Sequence, residues 1–359
     1  CLAGLLPSVG AHLGLPGCAD DHIGLPAARR YVVLLADGLG WEILLRALTE
    51  APTLADWLPE AVPLTVGVPS TTATSLASFG TGLPPGRHGV IGYRFWDRAF
   101  KSYVAPLAWD AATNPRLLQS EPTLFERAAA AGTAASLVIP EFLAESGFSA
   151  AAFRSPAAFG YDEADLAGWT AAVAAAAQAP AALVYTYDRS LDRAGHAVGV
   201  GSDAWREALA RFDTAAAALR EALDDEVVLL ITGDHGMVDV PAGRRLFIEE
   251  TPELAADLDH VGGEARFRHL YTRRPAAVTA RWTARLGESA WVLPQAEAIE
   301  RGWFGPAGPA ARRRLGDVIV AVRDDFALLT KTMPFEARLT GMHGSLTSQE
   351  MLVPLFRVA

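Results

Sequence analysis

Cysteine is scarce in this chain of 359 residues: there are two, Cys1 and Cys18, both near its start. Two are too few for a disulfide framework, and they read as unpaired thiols, with a single Cys1–Cys18 bridge as the other arrangement. Long apolar runs are missing too. No stretch of eighteen apolar residues occurs, because the Ala-rich segments are broken by Gln, Pro, Arg or Asp, and a transmembrane segment is not expected. A basic block is also lacking. The 31 Lys+Arg stand against 41 Asp+Glu, a formal net charge of −10, which argues against a nucleic-acid binding patch or attraction to an anionic membrane. The one basic cluster, Arg312, Arg313 and Arg314, reads as a solvated helix face. There is no internal repeat, and no initiator Met precedes Cys1, so the chain reads as trimmed at its start. Its acidic, cysteine-poor character fits the cytoplasm, with export after signal-peptide removal as the alternative. Nothing in the sequence sets an oligomeric state.

What is present is globular composition: 51% hydrophobic, 20% charged, mean hydropathy +0.18. Size scaling gives a folded surface of roughly 14,000 Å² against roughly 55,000 Å² unfolded, enough burial for a large core. Tyr31–Ala36 (YVVLLA) is a continuous apolar run ending in Asp37-Gly38, the form of a parallel strand covered on both faces. The form recurs at Ala134–Ile139, Ala181–Tyr187 and Glu226–Thr232, with helical stretches at Thr123–Ala131, Asp162–Gln178 and Asp203–Leu223. Strands alternating with helices predict an α/β doubly wound, mostly parallel sheet flanked by helices. From Pro241 to Thr332 the pattern changes. Arg266–Arg274 alternates in part like an exposed strand, Pro275–Leu286 reads as a helix, and Trp291–Leu293 and Asp317–Val322 as further strands. That predicts a small α+β cap at 241–332, inserted into a core of 1–240 and 333–359.

Four turns carry chemistry: Asp37-Gly38, Asp192 to His196, Asp234-His235-Gly236 and His343-Gly344. In open α/β sheets, ligand sites gather beyond the carboxyl ends of the strands. Singly, each is ordinary: an Asp-Gly turn, an i, i+4 pair on a helix surface, a lone late histidine. Together Asp37, Asp192, His196, Asp234, His235 and His343 make six oxygen and imidazole donors without a thiolate. That set suits Zn²⁺ first, then Mn²⁺, Fe or Co²⁺, and six ligands are what two divalent metal ions need. A hydroxyl cluster, Ser70-Thr71-Thr72 with Thr74 and Ser75, stands before a small-residue helix, where anions bind and where Ser and Thr also serve as caps.

The ordered set resembles the alkaline phosphatase superfamily, and within it the type I phosphodiesterase/nucleotide pyrophosphatase family. Pro69-Ser70-Thr71-Thr72 matches that family's Pro-Thr-x-Thr, with Ser70 for the leading threonine, and Thr81 to Gly89 (TGLPPGRHG) matches its next motif without a gap. Asp192-x-x-Gly195-His196-x-x-Gly199, Asp234-His235-Gly236-Met237 and His343-Gly344 match the later motifs in order, so the resemblance spans Tyr31 to Gly344. It implies an alkaline-phosphatase-like fold and a threonine nucleophile at Thr72. Asp37, Thr72, Asp234 and His235 would hold one zinc, and Asp192, His196 and His343 the other; His88 reads as structural. Two positions depart: the eukaryotic nucleotidases of the family follow the nucleophile with Phe and, two positions later, Asn, where this chain has Ala73 and Ser75. Ser75 is then a weaker hydrogen-bond donor to substrate, and Tyr93 and Phe95 are candidates for an alternative aromatic wall, against the reading that they pack the cap.

The resemblance implies a two-metal phosphodiesterase or nucleotide pyrophosphatase working through a phosphothreonine on a small phosphoester or phosphoanhydride. The alternatives on the same site are a phosphonate (C–P) hydrolase or a phosphomonoesterase. From another class comes a metal-stabilised binding protein in which Thr72 is only a helix cap.

Overall fold

A computed structural model describes residues 1–359. The strands that place the site are, in chain order, β1 (Arg30–Ala36), β2 (Val62–Thr65), β3 (Ala134–Pro140), β4 (Ala157–Tyr161), β5 (Ala182–Asp188), β6 (Val227–Gly233), β7 (His260–Glu264), β8 (Phe267–Tyr271), β9 (Ala290–Pro294), β10 (Val318–Val322) and β11 (Leu352–Val358). The main sheet runs β2-β11-β6-β1-β5-β3-β4. From β6 to β4 all neighbours are parallel, while β11 is antiparallel to both β6 and β2. This is the expected doubly wound, mostly parallel sheet. The folded surface is 13680 Å², close to the size-scaling value.

The continuous apolar runs follow from burial on both faces. In β1, Tyr31, Val33 and Leu35 enter one core cluster, and Val32, Leu34 and Ala36 enter the other. Helices cover both sides. On the first lies α1 (Thr72–Thr81), buried along its whole length, which its run of Ala, Ser, Thr and Gly permits. A Cβ on Gly80 would lie 2.0 Å from the Ala152 carbonyl oxygen, so only glycine allows this packing. On the other face lie α2 (Leu166–Ala176) and α4 (Asp203–Ala222), with α3 (Ser190–Val198) following β5 at the rim. The Ser202 side chain caps α4 by accepting from the Trp205 amide at 3.3 Å, and Trp205, Leu209, Phe212, Ala216 and Leu219 form its inward stripe.

A second sheet, β7-β8-β10-β9, is antiparallel throughout and packs under the helix Pro275–Leu286 with its own small core. Here two readings of the sequence need correction. β8 is not an exposed strand: all five residues are buried, because Arg268 pairs with Glu336 and the Leu328 carbonyl, and His269 with the Ile91 carbonyl at 2.8 Å. Nor is the arginine cluster wholly solvated. Arg312 is exposed, but Arg314 is buried, pairing with Asp97 at 2.8 Å and donating to the carbonyls of Gly89, Leu117 and Leu118. Cys1 and Cys18 are both free thiols, and no helix is long and apolar enough to cross a membrane.

Candidate metal centre and active site

The loaded turns converge at the carboxyl ends of the parallel strands. Asp37 directly follows β1, and its backbone is clamped on both sides: its amide donates to the Asp188 carbonyl at 2.7 Å, and its carbonyl accepts from the Asp192 amide at 3.0 Å. Gly38 turns with φ of +78°, its amide donates to Asp234 Oδ1 at 3.0 Å, and a Cβ there would press on the Asp192 backbone. Asp192 and His196, one turn apart on α3, come within 3.2 Å (Oδ1 to Nε2). Thr72 opens α1. The nucleophile segment is stitched to the His343 segment: Ser70 N donates to the Gly344 carbonyl at 3.1 Å, and Ser70 Oγ to the Ser345 carbonyl at 2.7 Å.

Thr72 Oγ1 lies 3.4 Å from Asp37 Oδ1 and 3.2 Å from His235 Nε2. The imidazoles share one arrangement. Nδ1 of His235, His196 and His343 meets the backbone carbonyls of Gly236, Gly341 and Ser70 at 2.9, 2.8 and 3.0 Å. A carbonyl only accepts, so each Nδ1 carries a proton and each ring turns its Nε2 into the site, the nitrogen that a metal ion would take in place of a proton. The His235 and His343 rings stack at 3.6 Å between centroids.

Ligand atoms of Asp37, Asp234 and His235 lie within 4.8 Å of one another, as do those of Asp192, His235 and His343. His235 thus stands at the junction of two adjacent clusters, and His196 joins through Asp192. Asp192 Oδ1 and Asp234 Oδ2 are buried with no hydrogen-bond partner. Buried carboxylates without partners are costly, and this donor set fits divalent cations, so the residues present suit two metal ions. The electrostatics agree. Burial, then the charge of Asp37, raises the pKa of Asp192 well above its ordinary value and that of Asp234 to about 7. Burial alone would lower His235, but Asp234 and Asp37 outweigh it and hold it up to about 10. These carboxylates are crowded for want of positive charge, which bound dications supply.

A cleft of about 420 Å³ opens over Thr72, Asp37, Asp192, His196 and His343. A second concavity of about 550 Å³, between Tyr161 and Arg211 over the other face of the sheet, contains none of the ligand candidates. Tyr93 lines the cleft, its ring 5.5 Å from that of Phe335. Phe95 and Ser75 are both fully buried and lie outside the cleft lining. Phe95 sits beneath the Arg314 guanidinium, and Ser75 Oγ has no partner. Trp96 stacks on His260 at 3.8 Å, so this part of the aromatic run packs the inserted sheet. His88 is buried between Ser78 Oγ at 2.9 Å and the Val90 amide, which donates to its Nδ1 at 3.1 Å.

Three contributors to the site were hidden in the sequence. Tyr187, the end of an apolar strand run, donates its hydroxyl to Asp37 Oδ2. Glu264, at the tip of β7, reaches from the inserted sheet into a small cavity of about 60 Å³ beside His196 and His343, with both carboxylate oxygens unpartnered. Arg266 grips Glu350 with two bonds of 2.7 and 2.9 Å, and Glu350 Oε1 also accepts from the Ser345 amide at 3.0 Å, just beyond His343. None of these carries a local motif; each is a contact between segments far apart in the chain.

Fold and site together define a hydrolase of the alkaline phosphatase superfamily, built for two metal ions and a threonine nucleophile. The chain belongs to the type I phosphodiesterase / nucleotide pyrophosphatase family, whose sequence profile matches residues 31–346. Its fold is shared by murine ectonucleotide pyrophosphatase/phosphodiesterase 5, solved as an inactive threonine-to-alanine form in complex with AMP (TM-score 0.71, 17% identity, 91% of this chain and 87% of that one). The same murine protein without that change (0.71, 18%, 91% and 87%) and the human one (0.71, 16%, 92% and 87%) are similar to the same extent. A search of curated proteins finds no match.

Proposed function

We propose that this protein hydrolyses a small phosphoester or phosphonate whose phosphoryl group is its only charged part, with Thr72 as nucleophile. The observation that carries the reading is Thr72 Oγ1 held against Asp37 Oδ1 and His235 Nε2 at the mouth of a cleft ringed by unpartnered carboxylates and inward-turned imidazole nitrogens. Asp37, Thr72, Asp234 and His235 would hold one zinc, and Asp192, His196 and His343 the other. When bound, such dications lower the pKa of a hydroxyl and neutralise charge on phosphoryl oxygens. Asp37 and His235 aim the Thr72 hydroxyl, which gives up its proton to solvent and attacks phosphorus. The bond from phosphorus to the organic group breaks and a phosphothreonine forms; the departing group takes a proton from solvent, and water then frees Thr72 and releases the phosphoryl group. First-turn amides of α1 face the phosphoryl oxygens, as helix N-termini do.

The substrate reading favours phosphomonoesters and phosphonates over nucleotides. Ala73 and Ser75 stand where the nucleotidases have Phe and Asn, and the one cation of the cleft, Arg189, is committed to Glu163 by bonds of 2.8 and 2.7 Å. No cation is left for the second phosphate of a pyrophosphate. Residues 241–332 act as the inserted cap, and Tyr93 alone of the aromatic candidates faces the substrate. The similar structures are named as ecto-enzymes, which supports action outside the cytoplasm rather than within it.

The test is turnover, with zinc added, of p-nitrophenyl phosphate, bis-p-nitrophenyl phosphate and a 2-oxoalkylphosphonate, whose carbonyl stabilises the departing carbon. The expected result is metal-dependent hydrolysis of the monoester or phosphonate, abolished in Thr72→Ala with zinc content retained. Turnover that survives Thr72→Ala removes the nucleophile assignment. Silence on all three substrates with two zincs bound points instead to a binding role.

A further inference from the structure

We infer that the cleft beside Thr72 selects substrates whose organic group is apolar, an alkyl or aryl group lodged between Phe148, Phe153 and Leu143 and a rim of Phe142, Leu107 and Phe335. This rests on the two-metal hydrolase reading for the phosphoryl end of the site; the apolar end is argued from the cleft itself.

Three observations carry it. First, 12 of the 21 side chains lining the cleft are hydrophobic, and the 420 Å³ is continuous with the metal-ligand cluster, so whatever is attached to the phosphoryl group must lie against them. Second, Phe142, Leu107 and Phe335 stand at its mouth 54%, 43% and 39% exposed. The whole chain leaves only nine large hydrophobic side chains so exposed, and a third of them border this one opening. They come from three separate segments, so no single amphipathic element explains their meeting, and exposed apolar surface gathered at one place marks a binding site. Third, several polar groups of the lining are already used. Ser146 Oγ accepts from the Ser149 amide at 3.0 Å and donates to Ser149 Oγ at 2.9 Å. Arg189 is bidentate to Glu163, with its guanidinium 4.3 Å over the Phe142 ring, and Tyr187 donates to Asp37. Among the fully buried hydroxyls of the apolar wall, that of Tyr185 lacks a partner. A base and sugar would bury several donors and acceptors without partners, which is costly.

The test reads binding without turnover. Zinc-loaded Thr72→Ala protein is titrated calorimetrically with methyl-, butyl- and octylphosphonate and with thymidine 5′-monophosphate. Burying a methylene tightens binding by about three- to fourfold at full burial, so butylphosphonate should bind at least about tenfold tighter than methylphosphonate, with an increasingly negative heat-capacity change. Octylphosphonate should bind more tightly than the nucleotide. Phe142→Ala and Phe335→Ala, both at exposed positions, should flatten the rise with chain length while zinc content stays unchanged. A series flat from methyl to octyl, or a nucleotide bound more tightly than the octyl compound, overturns the inference even where the hydrolase assays succeed. A steep series from a protein that hydrolyses nothing would keep the apolar site and sink the catalytic reading instead.

Discussion

Removing one hydroxyl, in Tyr187→Phe, isolates what holds Asp37 in place. Asp37 Oδ2 accepts the Tyr187 hydroxyl, while Oδ1 is left facing Thr72 Oγ1 at 3.4 Å and His235 Nε2 at 3.3 Å. The bond therefore fixes which oxygen looks into the site. Phenylalanine keeps the ring and its packing beside Tyr185, so the loss is confined to the donor. A hydrogen bond to a charged group contributes about 1.5–3 kcal/mol, and each 1.4 kcal/mol is a factor of ten, so zinc affinity should fall by about ten- to a hundredfold. The assay is competition for zinc against a chromophoric chelator on wild type and variant, with p-nitrophenyl phosphate turnover followed as zinc is raised. Activity should return at excess zinc, because the nucleophile and remaining ligands are intact. Affinity that is unchanged or tighter in Tyr187→Phe would refute the claim that Tyr187 orients Asp37 for metal.

Burial, helped by the charge of Arg314, pushes the His88 pKa down to about 3. Below its ordinary value of about 6.5 the unfolded chain takes up a proton that the folded one refuses, so this part of the stability is complete above that pH and drains away as pH falls toward 3. By pH 5 the loss is about 2 kcal/mol; urea unfolding with chelator present should show the gap between wild type and His88→Gln narrowing by that order from pH 7.5 to 5, and a constant gap would contradict the buried neutral imidazole. The Arg266–Glu350 pair is fully buried on both sides, so Arg266→Met strands a carboxylate and should cost about 3–5 kcal/mol, while adding Glu350→Leu should recover part of it. Denaturant midpoints of the two variants check this, and a double variant weaker than the sum of the single ones would show that the pair is not the reason.

Much of the core sheet was legible because its inner strands are covered on both faces. β1, β3, β5 and β6 lie within a residue or two of the apolar runs at 31–36, 134–139, 181–187 and 226–232. The helix Asp203–Ala222 was legible for the complementary reason, an apolar stripe at helical spacing opened by a serine cap. β2 and β11 were not, since Val62–Thr65 and Leu352–Val358 contain prolines and short mixed patterns whose strand character comes from pairing with each other and, for β11, with β6. In the inserted region the alternating residues of β8 look solvated, and what reverses their direction is the set of carboxylates waiting at Glu336 and Glu350, far along the chain. The six ligand candidates were legible because each ends an element beside a glycine or a helical turn. The residues that orient them were not, since Tyr187 and Arg266 act across the fold and leave no spacing to read. Phe95 shows the opposite failing: an aromatic next to a motif invites a substrate role, yet its ring is consumed by the core.

The placing of β11 has a consequence for how the molecule is made. Leu352–Val358 slots between β6 and β2, so while the chain is still being synthesised, β6 carries an open edge and Val62–Thr65 has nothing to pair with. His343, and the Glu350 that steadies its segment, emerge in the same late stretch. The cluster of Asp192, His235 and His343 therefore cannot be complete until nearly all of these residues have been delivered. A chain cut short by stalling would be both inert and sticky along that edge, a ready target for chaperones and proteases. The cluster of Asp37, Asp234 and His235, by contrast, is encoded before this stretch, so the two halves of the site are delivered at different times.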